Sequence, residues 1–234
     1  MNSIKAIFFS LNIVLNFLIL YLETKLSFSS IIITLALMYI AAAVHLLAHE
    51  CGHLIGGLAS GYKFVYLQIG PMNLETDRFK KLSFSLQHTH GGQCIMLPIK
   101  TNPIRYKAYN IGGIYANVFI TIVSTLLLFF DSFYTTLFFI QLLFIGIIKI
   151  IANSIPCINH DIPNDGYILK LLRNNTAVQT DYFLYLSLYT SIFWNEYICP
   201  SKYSYTREPV KSNDELLYYN GIQDLLKENK NFYM

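Results

Sequence analysis

Two histidines and a glutamate interrupt one of the most apolar stretches of this sequence. Residues 41–61 read AAAVHLLAHECGHLIGGLASG, in which His49, Glu50 and His53 form the pattern H-E-x-x-H. On a helix the two histidines lie one turn apart on the same face, so both can reach a single Zn²⁺ ion. The intervening glutamate can then accept a proton from the zinc-bound water, which is the chemistry of metal-assisted peptide hydrolysis.

The surroundings of these residues favour a functional interpretation. An ionisable side chain in a membrane helix is costly, so it usually faces a protein interior and serves a function. The alternative is a helix end whose polar residues reach to the membrane surface, a behaviour that suits Lys and Arg better than a His-Glu-His face. His45 lies one turn earlier, and it is either a hydrogen-bonding partner of the ligands or a histidine packed in a helix bundle.

A catalytic zinc requires a third protein ligand and keeps its fourth position open. The segment NSIPCINHDIPNDGYILKLL offers Asp165, directly before Gly166 in a stretch broken by prolines. Irregular backbone at membrane depth is tolerated only where it is buried in protein or lines a cavity. From the residues alone, Asp165 is equally well explained as part of a turn that begins a helix.

The hydrophobic runs around these residues predict a polytopic membrane protein. The chain has 234 residues, of which 54% are hydrophobic and 13% charged. A bilayer core about 30 Å thick needs roughly 20 apolar residues per helix, and four runs fit, at 4–22, 30–58, 108–130 and 133–153. We therefore predict an all-α polytopic fold with four transmembrane helices, or five if residues 182–199 also cross the membrane.

The connection between the second and third runs is predicted to form a small β-hairpin. Residues 62–100 contain YKFVYLQIG, KLSFSLQ and GGQCIMLPI, which are rich in aromatic and β-branched residues or alternate in polarity. Such a strand could pair with an unwound substrate or serve only packing. Residues 59–107 hold seven lysines and arginines, which predicts a cytoplasmic location for this connection and, if residues 182–199 do not cross the membrane, for both termini. The net charge of +3 and the lack of basic runs exclude nucleic acid as a partner.

Three motifs in order on successive hydrophobic segments resemble the site-2 protease family of intramembrane zinc metalloproteases. They are H-E-x-x-H, a Gly-Gly-x-x-x-Asn that ends at Asn117, and an Asn-x-x-Pro that begins at Asn153 and is followed by Asp-Gly. The resemblance is to a short bacterial-type member and covers roughly residues 30–175. It implies zinc ligands at His49, His53 and Asp165, a general base at Glu50, and substrate-orienting roles for Asn117 and Asn153.

The sequence departs from the family pattern at two points. Ile114 follows the glycine pair where the family commonly has proline, and the spacing from Asn153 to Asp165 is longer than usual. The usual spacing reaches Asp161, which is therefore the rival third ligand.

The resemblance implies a multi-pass zinc endopeptidase of a bacterial cell membrane. Its partners would be the lipid bilayer and a membrane-embedded peptide or single-span protein substrate. In this interpretation residues 1–29 form a first transmembrane anchor and loop, residues 30–175 the protease core, and residues 176–234 an interfacial segment and cytoplasmic tail. The alternative is a catalytically silent metal-binding membrane protein that partners a peptide export or immunity system.

Overall fold

The chain is mainly helical. The computed structural model describes residues 2–22, 25–77, 79, 81–87, 91–99, 105–129, 132–159, 162–173, 175–194 and 217–230. The α-helices in these ranges are Asn2–Leu22 (α1), Phe28–Ala59 (α2), Tyr106–Leu126 (α3), Phe133–Ser154 (α4), Asp165–Leu172 (α5), Thr176–Phe193 (α6) and Leu217–Lys230 (α7). A short 3-10 helix, Leu127–Phe129, continues α3.

Three of these helices, α2, α3 and α4, are long and apolar enough to cross a membrane. Within the described ranges, α1 contributes only a shorter apolar segment, Ser10–Leu22, and α6 is not a candidate span. The polytopic membrane character is therefore supported for three helices. Crossing by residues 4–22 stays a prediction, and residues 195–199 of the fifth stretch lie outside the described ranges.

The connection between α2 and α3 is a four-stranded antiparallel sheet, a larger structure than the hairpin predicted. Its strands are Tyr62–Ile69 (β1), Met72–Thr76 (β2), Leu82–Leu86 (β3) and Gly92–Pro98 (β4), in the order β3-β2-β1-β4. Gly70, with a φ of 56°, begins the two-residue turn that joins β1 to β2. The sequence MNLET of β2 is short and largely polar, so its pattern did not predict a strand. The prediction of β structure in this connection is confirmed, whereas its description as a single hairpin is not.

A second, two-stranded sheet precedes α5. It pairs Ile158–Asn159 (β5) with Ile162–Pro163 (β6) in the antiparallel sense. This hairpin belongs to the proline-interrupted segment that the sequence predicted to be irregular.

The chain forms two compact units. One comprises residues 1–52 and 112–167, and its helical core includes Ala41, Leu142 and Ile145. The other comprises residues 53–111 and 168–234. Its core is rich in tyrosine and includes Tyr62 and Tyr182.

Glycines allow the backbones of α2 and α3 to approach one another closely. A Cβ at Gly52 would lie 2.7 Å from the carbonyl carbon of Gly112 and 2.8 Å from the Cβ of Ala116. A Cβ at Gly56 would lie 2.8 Å from the carbonyl carbon of Ala108. Small residues spaced by four on both helices are the usual means of close packing between membrane helices. The backbone of α3 therefore runs directly beside the H-E-x-x-H helix.

Candidate metal centre

His49, His53 and Asp165 come together in the structure as the sequence predicts. Each offers one ligand atom, and these atoms all lie within 4.8 Å of one another. His49 Nε2 lies 3.3 Å from Asp165 Oδ2, which is roughly the separation of two ligands held about 2.1 Å from a tetrahedral metal ion. Within the described part of the chain, this is the one group of three or more His, Cys, Asp and Glu side chains that could hold a metal ion.

Helix α2 supplies two of these ligands and the predicted base. His53 is 8% exposed and Glu50 is 5% exposed. Because a helix advances by about 100° per residue, Glu50 projects from the face adjoining the two histidines. Glu50 is buried and Asp165 is half-buried, and positive charge nearby stabilises the ionised form of a carboxylate in such surroundings. A divalent cation between two imidazoles and a carboxylate would supply that charge.

The tautomer of His53 is set by a backbone carbonyl. His53 Nδ1 lies 2.8 Å from Tyr109 O, and a carbonyl oxygen can only accept a hydrogen bond. The proton of the neutral ring therefore resides on Nδ1, which leaves Nε2 bare for a metal ion. The ring of Tyr109 also packs edge-on against His53, with centroids 5.7 Å apart.

The predicted site residue Asn117 lies behind His49. Its side chain is fully buried, with Nδ2 at 3.1 Å from His49 Nδ1 and Oδ1 at 3.0 Å from His45 Nδ1. His45 is also fully buried, and its Nε2 lies 2.8 Å from Leu142 O on α4. His45 thus lies packed among the helices and hydrogen-bonds to Asn117, which in turn contacts the candidate ligand His49. A role of Asn117 toward substrate stays a prediction.

Asn164 fixes the backbone just before the carboxylate ligand, and the sequence interpretation missed it. Its Nδ2 donates to Ala152 O at 2.7 Å and to Ile155 O at 2.6 Å. Its Oδ1 accepts from Cys157 N at 3.0 Å and from Tyr167 N at 2.9 Å. The last bond reaches the third residue of α5, so Asn164 is the N-cap of that helix. An asparagine directly before a helical run was the signal that could have revealed it.

The glycine of the Asp-Gly pair is required by a close backbone approach. A Cβ at Gly166 would lie 2.7 Å from the carbonyl carbon of Ser154 and 2.9 Å from Asn153 O. The first turn of α5 thus lies against the carboxyl end of α4. This contact fixes the position of Asp165, the first residue of α5.

Of the two remaining sequence candidates, one lies within the described residues and the other does not. Asn153 is half-buried in the last turn of α4. Among the described contacts its side chain forms no hydrogen bond, so its role stays a prediction. The rival ligand Asp161 lies outside the described residues.

Comparisons of this chain with protein families, with curated proteins and with solved structures found no match. The resemblance to site-2 proteases therefore stays a prediction based on the three motifs. The function has to be inferred from the residues that this chain brings together.

Proposed function

We propose that this chain is an integral membrane zinc endopeptidase of the site-2 protease type. Its substrate would be a membrane-spanning protein or a membrane-inserted peptide. One observation carries the proposal: His49, His53 and Asp165 offer ligand atoms within 4.8 Å of one another. These residues come from segments far apart in the sequence, and the two histidines lie on a helix apolar enough to span a bilayer.

The donor set fits a catalytic zinc site. Two imidazoles and one carboxylate are a known ligand set for such sites, and three protein ligands leave the fourth position open. When bound, zinc would acidify the attacking water and polarise the scissile carbonyl. Glu50 would accept the proton of that water and deliver it to the nitrogen of the departing amine. Burial of Glu50 would limit competition for that proton by bulk water.

Strand β3 is the part of the sheet that suits an unwound substrate. A helical substrate has its carbonyls engaged in internal hydrogen bonds, so it must be opened locally before attack. Just beyond the ends of β2, Gln87 N donates to Pro71 O and Lys81 O accepts a hydrogen bond from Asp77 N. The odd-numbered residues of β3 therefore direct their backbone groups toward β2. The backbone groups of Leu82, Phe84 and Leu86 therefore point away from β2, and their side chains are exposed. We propose that a substrate strand adds at this edge.

The proposal is tested by Glu50→Gln, with Glu75→Gln as the matched control. Glu75 lies in β2, and its Oε1 accepts a hydrogen bond from Ser83 Oγ at 3.1 Å in an exposed pair. Both variants are purified in detergent, assayed for zinc and incubated with a synthetic transmembrane peptide. We expect Glu50→Gln to keep its zinc and to lose cleavage by about 10²- to 10⁴-fold, the usual contribution of a general base. The control should cleave like the unaltered protein.

Full cleavage by Glu50→Gln would remove Glu50 from the mechanism. Full biological activity of that variant, without any cleavage by the unaltered protein, would favour the catalytically silent partner of an export or immunity system.

A further inference from the structure

We propose that His45 is a positioning residue that sets the tautomer of the metal ligand His49 through the amide of Asn117. The inference rests on the proposed metal site and deepens it. It concerns which nitrogen of His49 carries the proton, because a metal ion can bind only a nitrogen that carries none.

The first link is between His45 and helix α4. His45 Nε2 lies 2.8 Å from Leu142 O, and since this oxygen can only accept, the proton lies on Nε2. Gly146 makes room for this contact, because a Cβ there would lie 2.8 Å from His45 Cε1 and 2.9 Å from Nε2. A larger residue at position 146 would therefore keep the imidazole of His45 away from Leu142 O, which lies one turn earlier on α4.

The second link follows from the charge of His45. The ring is fully buried in a membrane-spanning helix, and its two hydrogen-bond partners, Leu142 O and the Asn117 amide, are both uncharged. A neutral imidazole fits such surroundings, since a buried charge needs an opposite charge nearby. The neutral ring has its one proton on Nε2, so Nδ1 is an acceptor and needs a donor from Asn117.

The third link is the orientation of the Asn117 amide. The structure turns Oδ1 toward His45 and Nδ2 toward His49, but the two ends of an amide have nearly the same shape, and hydrogen-bond chemistry decides between them. In that orientation, the carbonyl oxygen of Asn117 would face the unprotonated Nδ1 of His45, and neither atom could donate a hydrogen bond. The amide would also donate to His49 Nδ1, which would force the proton of His49 onto Nε2.

The reversed amide satisfies every group. Nδ2 then donates to His45 Nδ1, and Oδ1 accepts from a proton on His49 Nδ1. His49 Nε2, which lies 3.3 Å from Asp165 Oδ2, is left bare. The requirement of a neutral His45 and the requirement of a metal-binding His49 thus independently select the same orientation of Asn117.

The two ligand histidines consequently obtain the same tautomer by different routes. His53 donates directly to Tyr109 O, whereas His49 depends on a chain that runs from Leu142 O through His45 and Asn117. Loss of the hydrogen bond between His45 and Leu142 O is therefore expected to change which nitrogen of His49 carries the proton.

The test measures zinc affinity by competition with a coloured chelator, for which no cleavage is needed. His45→Leu removes both hydrogen bonds, and we expect zinc affinity to fall by about 10- to 100-fold, the usual effect of losing a partner behind a ligand. His45→Gln keeps one donor and one acceptor, so it should retain most of the affinity. The control is Thr34→Val, which removes a buried hydrogen bond to Ser30 O elsewhere on α2 and should leave affinity unchanged.

Two further measurements separate the proposed chain from a general packing role. If His45 acts through Asn117, then His45→Leu added to Asn117→Leu should cost no further affinity. Gly146→Ala leaves the imidazole chemically intact but adds a Cβ that would crowd His45 and Thr121, so it should weaken zinc binding as His45→Leu does. In the unaltered zinc-bound protein, the side-chain ¹⁵N spectrum should show His45 protonated on Nε2 and bare on Nδ1, and this readout needs no folded variant.

Unchanged zinc affinity in both His45→Leu and Gly146→Ala, or a proton on Nδ1 of His45 in the zinc-bound protein, would overturn the assignment. So would failure of the unaltered protein to bind zinc. Zinc binding that follows the expected pattern without any peptide cleavage would instead refute the proposed function and leave the role of His45 standing.

Discussion

Two clusters of polar side chains involve the long apolar helices, and they differ in what their atoms can do. One is the candidate metal group, which consists of His49, His53 and Asp165, together with the Asn117 amide that contacts His49. The other joins α1 to α4 through Asn12, Asn16 and Gln141, all at most 5% exposed. Asn16 Nδ2 donates to the backbone and side-chain oxygens of Asn12, and Gln141 Nε2 donates to Asn16 Oδ1.

The amide cluster is neutral, and these hydrogen bonds join one amide to another. Side chains of this kind hold membrane helices together. In the candidate metal group, by contrast, imidazole nitrogens and a carboxylate oxygen converge. The Nδ1 atom of each of the two histidines contacts a polar group on α3. Burial of polar groups in apolar helices is therefore an insufficient sign of chemistry. The candidate metal group differs from the amide cluster because its atoms converge and can all bind the same cation.

The largest effect expected is from Asp165→Ala, which removes a ligand. Zinc affinity should fall by more than about 100-fold, beyond the loss caused by removing an outer partner, whereas Gln141→Leu should bind zinc normally. Zinc content of the purified variants and chelator competition measure both. If Asp161→Ala loses the metal while Asp165→Ala keeps it, the third ligand is wrongly assigned.

An intermediate effect is expected from Asn164→Ala. The variant loses four hydrogen bonds that tie α4, the following hairpin and the start of α5 together. Zinc affinity should fall by about 10-fold because the ligand remains but is held less firmly. The control is Asn175→Ala, which removes the N-cap bond to Val178 N of α6. Equal zinc affinities in the two variants would show that the Asn164 bonds do not position the ligand.

The smallest effect belongs to the amide cluster itself. Gln141→Leu should reduce the free energy of unfolding in mixed micelles by about 0.6 kcal/mol, the average for hydrogen bonds between membrane helices. The loss is limited because the buried Oε1 of Gln141 has no hydrogen-bond partner among the described residues. A fall in zinc affinity in this variant would mean that the two clusters are coupled.

The sequence predicted the site better than it predicted the structures that hold it. His49 and His53 could be assigned because their spacing is local to one helix, whereas Asp165 was selected only through the resemblance to the Asp-Gly motif of site-2 proteases. The part played by His45 depends on Leu142 and on Gly146, about a hundred residues away, and no local pattern encodes such a contact. Strand β2 was missed for a related reason, since its pairing with β1 and β3 compensates for a polar sequence.

The glycine contact between α2 and α3 has a consequence for the thermodynamics of metal binding. Because backbone lies against backbone at Gly52 and Gly112, no side-chain rotamers at this contact have to be frozen when an ion binds. Small zinc domains that fold only around their ion spend much of its binding energy on ordering the chain. Here the imidazoles are already oriented, so most of that energy would appear as affinity, and binding should be accompanied by only a small change in heat capacity.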